Sequence, residues 1–272
     1  MFTILPIKGY IDQIDGFFCD GIHAGLKPNG NNDLGFIYTK EACTVAAIFT
    51  ENRFQAAPLK HFLAYEEGFK TNFVLINSKN ANALTGRKGI EDINTLFSKL
   101  NFDLINPVMS STGVIGNRLP IEKLVTGALK FDLTAKSGEN LSRAIMTTDA
   151  YPKTCLYEVK LEDGSSFKIG AVAKGAGMIN PNLATMLCFI CTDADVPYKD
   201  IKEALNKNKE TTFNAISVDG DTSTNDTVMV LANGKSNAYN KDAFCEALRL
   251  VMHDMAMLMV ADEKKKKKVA AF

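Results

Sequence analysis

The sequence predicts an α+β fold, layered in the αββα manner, on three observations. Apolar runs of strand length, rich in β-branched and aromatic residues, recur along the chain. Amphipathic helical segments fall between them without the regular βαβ rhythm of a doubly wound sheet. The 272 residues are 46% hydrophobic and no Pro/Ser-rich linker divides them. At about 150 residues per domain, that is one large or two modest domains with a substantial core.

The elements follow in chain order. Residues 22–33, Ile-His-Ala-Gly-Leu-Lys-Pro-Asn-Gly-Asn-Asn-Asp, form a turn-rich loop. Residues 34–49 and 72–77 read as strands. Leu119 to Leu133 reads as a helix, with Pro120 near its first turn and Ile121, Leu124, Val125 and Leu129 on one stripe. Phe167 to Ala173 and Met186 to Thr192 have the length of strands. Pro197 to Phe213 is a polar amphipathic helix, and Asp226 to Leu231 another strand. Asn240 is placed to cap the last helix, because its side chain can accept from free first-turn amides. Phe244, Ala247, Leu248, Val251, Met255, Leu258 and Met259 then carry helical spacing and predict core packing.

Charge and composition exclude several functions. Lys and Arg number 31 against 31 Asp and Glu, so the basic excess of nucleic-acid and anionic-membrane binders is missing. No apolar run approaches the roughly 18 residues of a membrane span. Met1-Phe2-Thr3-Ile4-Leu5-Pro6 lacks the pattern of a secretory signal, which predicts a cytoplasmic protein. Six cysteines are too sparse for a disulfide scaffold in a chain of this size. Cys188 and Cys191 form a lone CxxC without a second pair or suitably spaced histidines. They read as buried thiols rather than a zinc site, and no metal is expected. Asp219 to Asp226 is rich in short oxygen ligands but lacks the terminal glutamate of an EF-hand loop, and reads as a hydrogen-bonded structural loop. Asn77, Asn80 and Asn82 follow a strand and are suited to bracing a turn. His23, His61 and His253 lie in unrelated contexts and support no Ser/His/Asp triad.

Lys174-Gly175-Ala176-Gly177-Met178-Ile179-Asn180-Pro181-Asn182-Leu183-Ala184-Thr185-Met186-Leu187 is the segment richest in chemistry. Two glycines permit unusual backbone geometry, and a small residue precedes a hydroxyl residue that opens an apolar strand. Such a junction suits an N-terminal nucleophile. Cutting Ala184–Thr185 frees an α-amine with a pKa near ~7.7–8.0. That amine can act as general base for the threonine's own hydroxyl. On spacing alone, an ordinary turn before a buried strand is the better reading of the segment.

The segment resembles the self-cleavage motif of the ornithine acetyltransferase family, also called bifunctional glutamate N-acetyltransferase. Further blocks carry the resemblance: Gly21 to Lys27, Asn52 to Pro58, Asn77 to Ala83, Ser111 to Gly116, Ala144 to Asp149 and Val218 to Asp226. The resemblance implies the fold of that self-processing family. It implies an alpha-chain segment, 1–184, and the start of a beta-chain segment, 185–272, in one main domain. Thr185 is then the nucleophile, Thr112 and Gly113 the oxyanion hole, and Thr148, Lys174 and Thr185 the substrate contacts. The implied reaction carries acetyl from N²-acetyl-L-ornithine to L-glutamate through an acetyl-threonine, with no cofactor. Acetyl-CoA stands as an alternative donor, with a side activity as amino-acid N-acetyltransferase. An α₂β₂ assembly is implied as well.

The sequence departs from the family at two places. Lys79 stands where the family usually has glycine, which adds strain if that position needs positive φ. The family's substrate-binding glutamate aligns with position 264, here Lys, in the run Lys264 to Lys268, and Glu263 is one residue off. On this resemblance, the family's C-terminal domain is expected to be missing. The expectation is a truncated or altered member whose self-processing survives while transfer is impaired. Two rivals stay open: an N-terminal-nucleophile amidohydrolase or aminopeptidase, and an inactive remnant that only folds or binds.

Overall fold

A computed structural model describes residues 1–175, 186–216 and 223–266, the last four of these as backbone only. Its architecture follows from the two-residue period of the strands, which sends alternate side chains to opposite faces. Strand β3 (Leu34–Phe49) is the pivot. Its first half pairs antiparallel with β2 (Phe17–Ile22) and with β4 (Lys70–Asn77), and β4 pairs parallel with β5 (Val108–Ser111). After a register shift between Tyr38 and Cys43, its second half pairs with β9 (Thr227–Ala232). From β9 the sheet continues through β8 (Leu187–Thr192), β7 (Ser166–Lys174) and β6 (Lys153–Leu161) to β1 (Phe2–Pro6).

The hydrogen-bonded path is continuous, but it folds into two stacked layers. Phe17, Ile37, Val74, Ile76 and Val108 meet Leu156, Val172, Leu187, Phe189 and Leu231 in one central core. The alternate residues face outward. Phe36, Phe73, Leu75 and Met109 pack under helices α1 (Ala57–Leu63), α2 (Gly86–Ser98) and α3 (Ile121–Ala128). Cys188, Ile190, Val228 and Val230 pack under α5 (Tyr198–Lys209) and α6 (Lys241–Lys266). The order is helix, sheet, sheet, helix, as the sequence predicts.

Two helices are shorter than expected. In place of 119–133, α3 stops at Ala128. There Lys130 N–H bonds to Gly127 O and Phe131 N–H to Ala128 O, a tightened turn that ends the helix. Phe131 then tucks against Phe36, ring centroids 4.6 Å apart. Helix α5 stops at Lys209, and the Thr212 hydroxyl takes the last-turn carbonyl of Asn208 at 2.7 Å. The predicted cap of α6 is present: Asn240 Oδ1 accepts from Ala243 N–H at 3.0 Å. No helix among the described residues is long and apolar enough to cross a membrane.

Helix α4 (Gly138–Ile145) aims the loop that follows it. Gly21 and Gly35 are register partners on β2 and β3. A Cβ on Gly21 would lie 2.3 Å from Asn140 O, and one on Gly35 would lie 2.6 Å from Leu141. The absence of both side chains lets α4 settle directly on the sheet. Lys27, itself buried, fastens its far end by donating to Arg143 O and Ala144 O, each at 3.3 Å.

Candidate active site

The end of β5 delivers Ser111, Thr112 and Gly113 into a frame of amides. Thr112 N–H donates to Asn77 O at 3.0 Å. Asn77 Oδ1 accepts from the Ser111 hydroxyl at 2.6 Å, and Asn77 Nδ2 donates to Asn80 O at 2.9 Å. Asn80 and Asn82 bond onward to Arg118 O and Gly89 O, so all three asparagines brace this turn as expected. Gly113 has φ 137°, and a Cβ there would fall 2.2 Å from the Lys79 carbonyl carbon. Only glycine fits. The Thr112 hydroxyl and the Gly113 N–H have no hydrogen-bond partner among the described residues. Lys79 has φ 73°, so the strain expected of a lysine here is present and costs roughly 1–2 kcal/mol.

A second chain of contacts ties this turn to three other strand ends. Asn225 Nδ2 donates to Ser111 O at 2.9 Å and to Ala81 O at 2.7 Å. Its neighbour Asp226 accepts from Met186 N–H at 3.0 Å through Oδ1. Met186 leads into β8, where Leu187 is the register partner of Lys174 at the end of β7. Burial pushes the Asp226 carboxyl up to about 8, although nearby Ser223 and Lys174 pull the other way. Burial lowers Lys174, partly offset by the carboxylates of Asp149 and Asp226.

The third element is a buried ion cluster. Lys153 Nζ lies 2.7 Å from Asp149 Oδ1 and 2.6 Å from Asp262 Oδ2, and all three side chains are at most 1% exposed. Asp149 also accepts from Gly175 N–H at 2.8 Å and from Thr147 N–H at 3.0 Å. Burial alone would raise the Asp149 carboxyl, yet the ammoniums of Lys153 and Lys174 and these hydrogen bonds hold it below its ordinary value. The cluster therefore fixes the Thr147–Asp149 turn, which carries Thr148, against the Lys174–Gly175 step. It also fastens both to α6, where Asp262 receives Ala150 N–H.

Of the residues expected at the site, Thr112, Gly113, Thr148 and Lys174 lie on strand ends and turns joined by these contacts. Ala184 and Thr185 lie outside the described residues, as do 217–222. The side chain of Lys264 does too. Sequence reasoning missed Asn225, Asp226, Lys153 and Asp262 as supports of the site. Asn225 and Asp226 stood inside a recognised block, but their partners are remote in the chain. The CxxC thiols behave as expected: both are buried, and burial pushes both well above the ordinary thiol value. Being three apart on one strand, Cys188 and Cys191 face opposite cores and cannot share a metal.

The ArgJ family profile matches residues 18–271. The arginine biosynthesis bifunctional protein ArgJ of Wolinella succinogenes is 54% identical over all of this chain, which covers 69% of that protein. The one from Oceanobacillus iheyensis is 38% identical over 94% of the chain, covering 65% of that protein. The chain thus spans about two thirds of the length of these relatives. Among solved structures, ArgJ from Bacillus halodurans superposes with TM-score 0.61 at 32% identity, covering 68% of this chain and 99% of its own. Ornithine acetyltransferase from Mycobacterium tuberculosis, solved with ornithine, gives TM-score 0.55 at 27% identity, covering 68% and 100%.

Proposed function

The chain belongs to the ArgJ family, and from that premise we propose that it is an acyltransferase of arginine biosynthesis, a glutamate N-acetyltransferase. Thr185 first attacks the carbonyl of Ala184 in an N→O shift, and water hydrolyses the resulting ester. The chain is then divided into 1–184 and 185–272, and Thr185 has a free amine as base for its hydroxyl. That hydroxyl attacks the acetyl carbonyl of N²-acetyl-L-ornithine. Ornithine leaves with a proton on its new amine, and an acetyl-threonine remains. The amine of L-glutamate takes the acetyl group and returns the threonine. Lys174 pairs with the substrate α-carboxylate beside Thr148. The reading requires no cofactor and carries with it an α₂β₂ assembly in the cytoplasm.

The observation that carries this reading is the Thr112–Gly113 turn. It offers one hydroxyl and one N–H without partners among the described residues, on a frame tied through Asn225 and Asp226 to Met186. A tetrahedral oxyanion needs two such donors held in place beforehand, and losing one costs about 10²–10³ in kcat.

The test is acetyl release from N-acetylornithine with and without glutamate. The transferase reading expects N-acetylglutamate to form in step with ornithine. Free acetate at the same rate in both cases would make the protein a hydrolase. No release in either case would make it a non-catalytic member.

A further inference from the structure

Asp226, which immediately precedes β9, is buried, 1% exposed. Its Oδ1 accepts Met186 N–H at 3.0 Å, and the next residue, Thr227, gives its own N–H to Met186 O at 3.0 Å. Two consecutive residues thus hold Met186 at both its N–H and its carbonyl. That Met186 N–H belongs to the peptide unit whose carbonyl is Thr185's. On the other side, Asn225 holds the carbonyls of Ser111 and Ala81 beside the Thr112–Gly113 turn.

The second oxygen of Asp226 has no such use. Oδ2 is buried and makes no hydrogen bond among the described residues. An ionised oxygen left in that state is costly, and a proton on it removes the charge. The surrounding charges favour that proton. Lys174 faces Asp226 from the end of β7, with Asp149 and Lys153 behind it. Ser223 adds a polar group, and Thr50 N–H takes the Asp226 backbone carbonyl at 3.1 Å. Lys153 is bound by Asp149 and Asp262, so the buried cations Lys153 and Lys174 already balance two carboxylates. Ionising Asp226 as well would leave the buried set negative.

The uncut chain has a need that the divided chain does not. The α-amine that serves as base in transfer is still an amide nitrogen before division. The N→O shift must take the Thr185 hydroxyl proton and place a proton on the departing nitrogen, so it requires a separate acid.

We propose that Asp226 is the proton donor of self-division, passing its Oδ2 proton to the Thr185 nitrogen as that nitrogen leaves the Ala184 carbonyl. The proposal rests on the self-division reading. The Thr185 oxygen forms its bond to the Ala184 carbonyl carbon, and the C–N bond breaks. The Oδ2 proton becomes the second hydrogen of the new amine, and the Thr185 hydroxyl proton replaces it on Asp226. Water then splits the ester into the Ala184 carboxylate and the Thr185 hydroxyl. A carboxyl pushed up to about 8 by burial holds its proton at neutral pH, as the role requires.

The test follows division of the full 272-residue chain, made by cell-free synthesis and moved into buffers from pH 6 to pH 10, by intact mass. The parent is expected to divide at a constant rate up to about pH 7 and to slow about tenfold per unit above pH 8. Asp226→Asn keeps the acceptor for Met186 N–H but has no acid; it is expected to divide about 10²-fold or more slowly, with no break near pH 8. Asp226→Glu is expected to recover part of the rate and the break. Division of Asp226→Asn within tenfold of the parent overturns the proposal, as does a parent rate that rises through pH 8. Should Asp226→Asn fail to fold, as read by circular dichroism, the parent's pH profile decides alone. A parent that stays whole overturns the self-division reading and this role with it, whereas a parent that divides beside an equally fast Asp226→Asn overturns the role alone.

Discussion

Replacing Lys153 with methionine tests the ion cluster most severely. The ammonium makes two contacts, 2.7 Å to Asp149 and 2.6 Å to Asp262, with no solvent access. It also lies 5.0 Å from the Tyr151 ring centre. Methionine fills much of the volume but leaves two buried carboxylates without their shared cation. Asp149 keeps the N–H groups of Thr147 and Gly175, and Asp262 keeps that of Ala150. Removing one partner of a buried pair costs about 3–5 kcal/mol, and the retained N–H bonds place this case near the lower end, ~3 kcal/mol. That is a drop of about two orders of magnitude in the folded-to-unfolded ratio at pH 7. Urea unfolding followed by circular dichroism reads it directly. Adding Asp149→Asn and Asp262→Asn to Lys153→Met should recover a large part of the loss, because no buried charge then remains unpaired. The loss should also shrink on acidification. Asp149 is held below 3.8 in the fold, so its contribution is present above that value and disappears as pH falls through the folded value. A Lys153→Met change within ~0.5 kcal/mol of the parent, the range of ordinary surface substitutions, would refute the reasoning.

Three further outcomes follow from the site. Gly113→Ala forces a Cβ to 2.2 Å from a backbone carbon at φ 137°, so stability should fall by more than 2 kcal/mol and transfer should be abolished; a thermal melt and an acetyl-release assay check this. Asp226 keeps its proton in the fold up to about 8 while the unfolded chain loses it near 3.8, so its contribution is full at low pH and is lost as pH rises across that window. Asp226→Asn still accepts from Met186 and does not titrate. Its stability relative to the parent should therefore improve from pH 5 to pH 8, and an equal gap at both would contradict the assignment. Lys79→Gly relieves a left-handed lysine and should raise stability by ~1 kcal/mol in urea titration; a loss of stability would show that the strain is not there.

The legible parts of the fold were those whose period declares itself. Residues 34–49 form one strand end to end, and β7, β8 and β9 lie within a residue or so of the expected runs. Strands β1, β2, β5 and β6 escaped: Asp20 and Gly21 interrupt the apolar run of β2 and β5 is only four residues long, whereas β6 does alternate over Tyr157-Glu158-Val159-Lys160-Leu161. The site was legible where glycine or hydroxyl chemistry is local, as at Thr112–Gly113. It was not legible where the partner is distant. Lys153 reads as a surface charge until Asp262, 109 residues later, is brought against it. Asn225 reads as loop polarity until it meets Ser111 and Ala81, more than a hundred residues earlier. Cys188 and Cys191 show the opposite case: strand periodicity alone separates their thiols onto two faces.

Intact mass spectrometry of the chain and of Thr185→Ala, incubated with N-acetylornithine but without glutamate, tests the central claim most directly. The account predicts pieces of 184 and 88 residues from the parent, the smaller carrying the mass of one acetyl group that glutamate then removes, while Thr185→Ala stays whole. A cut at any other bond, cleavage that persists in Thr185→Ala, or an acetyl group on the larger piece would contradict it.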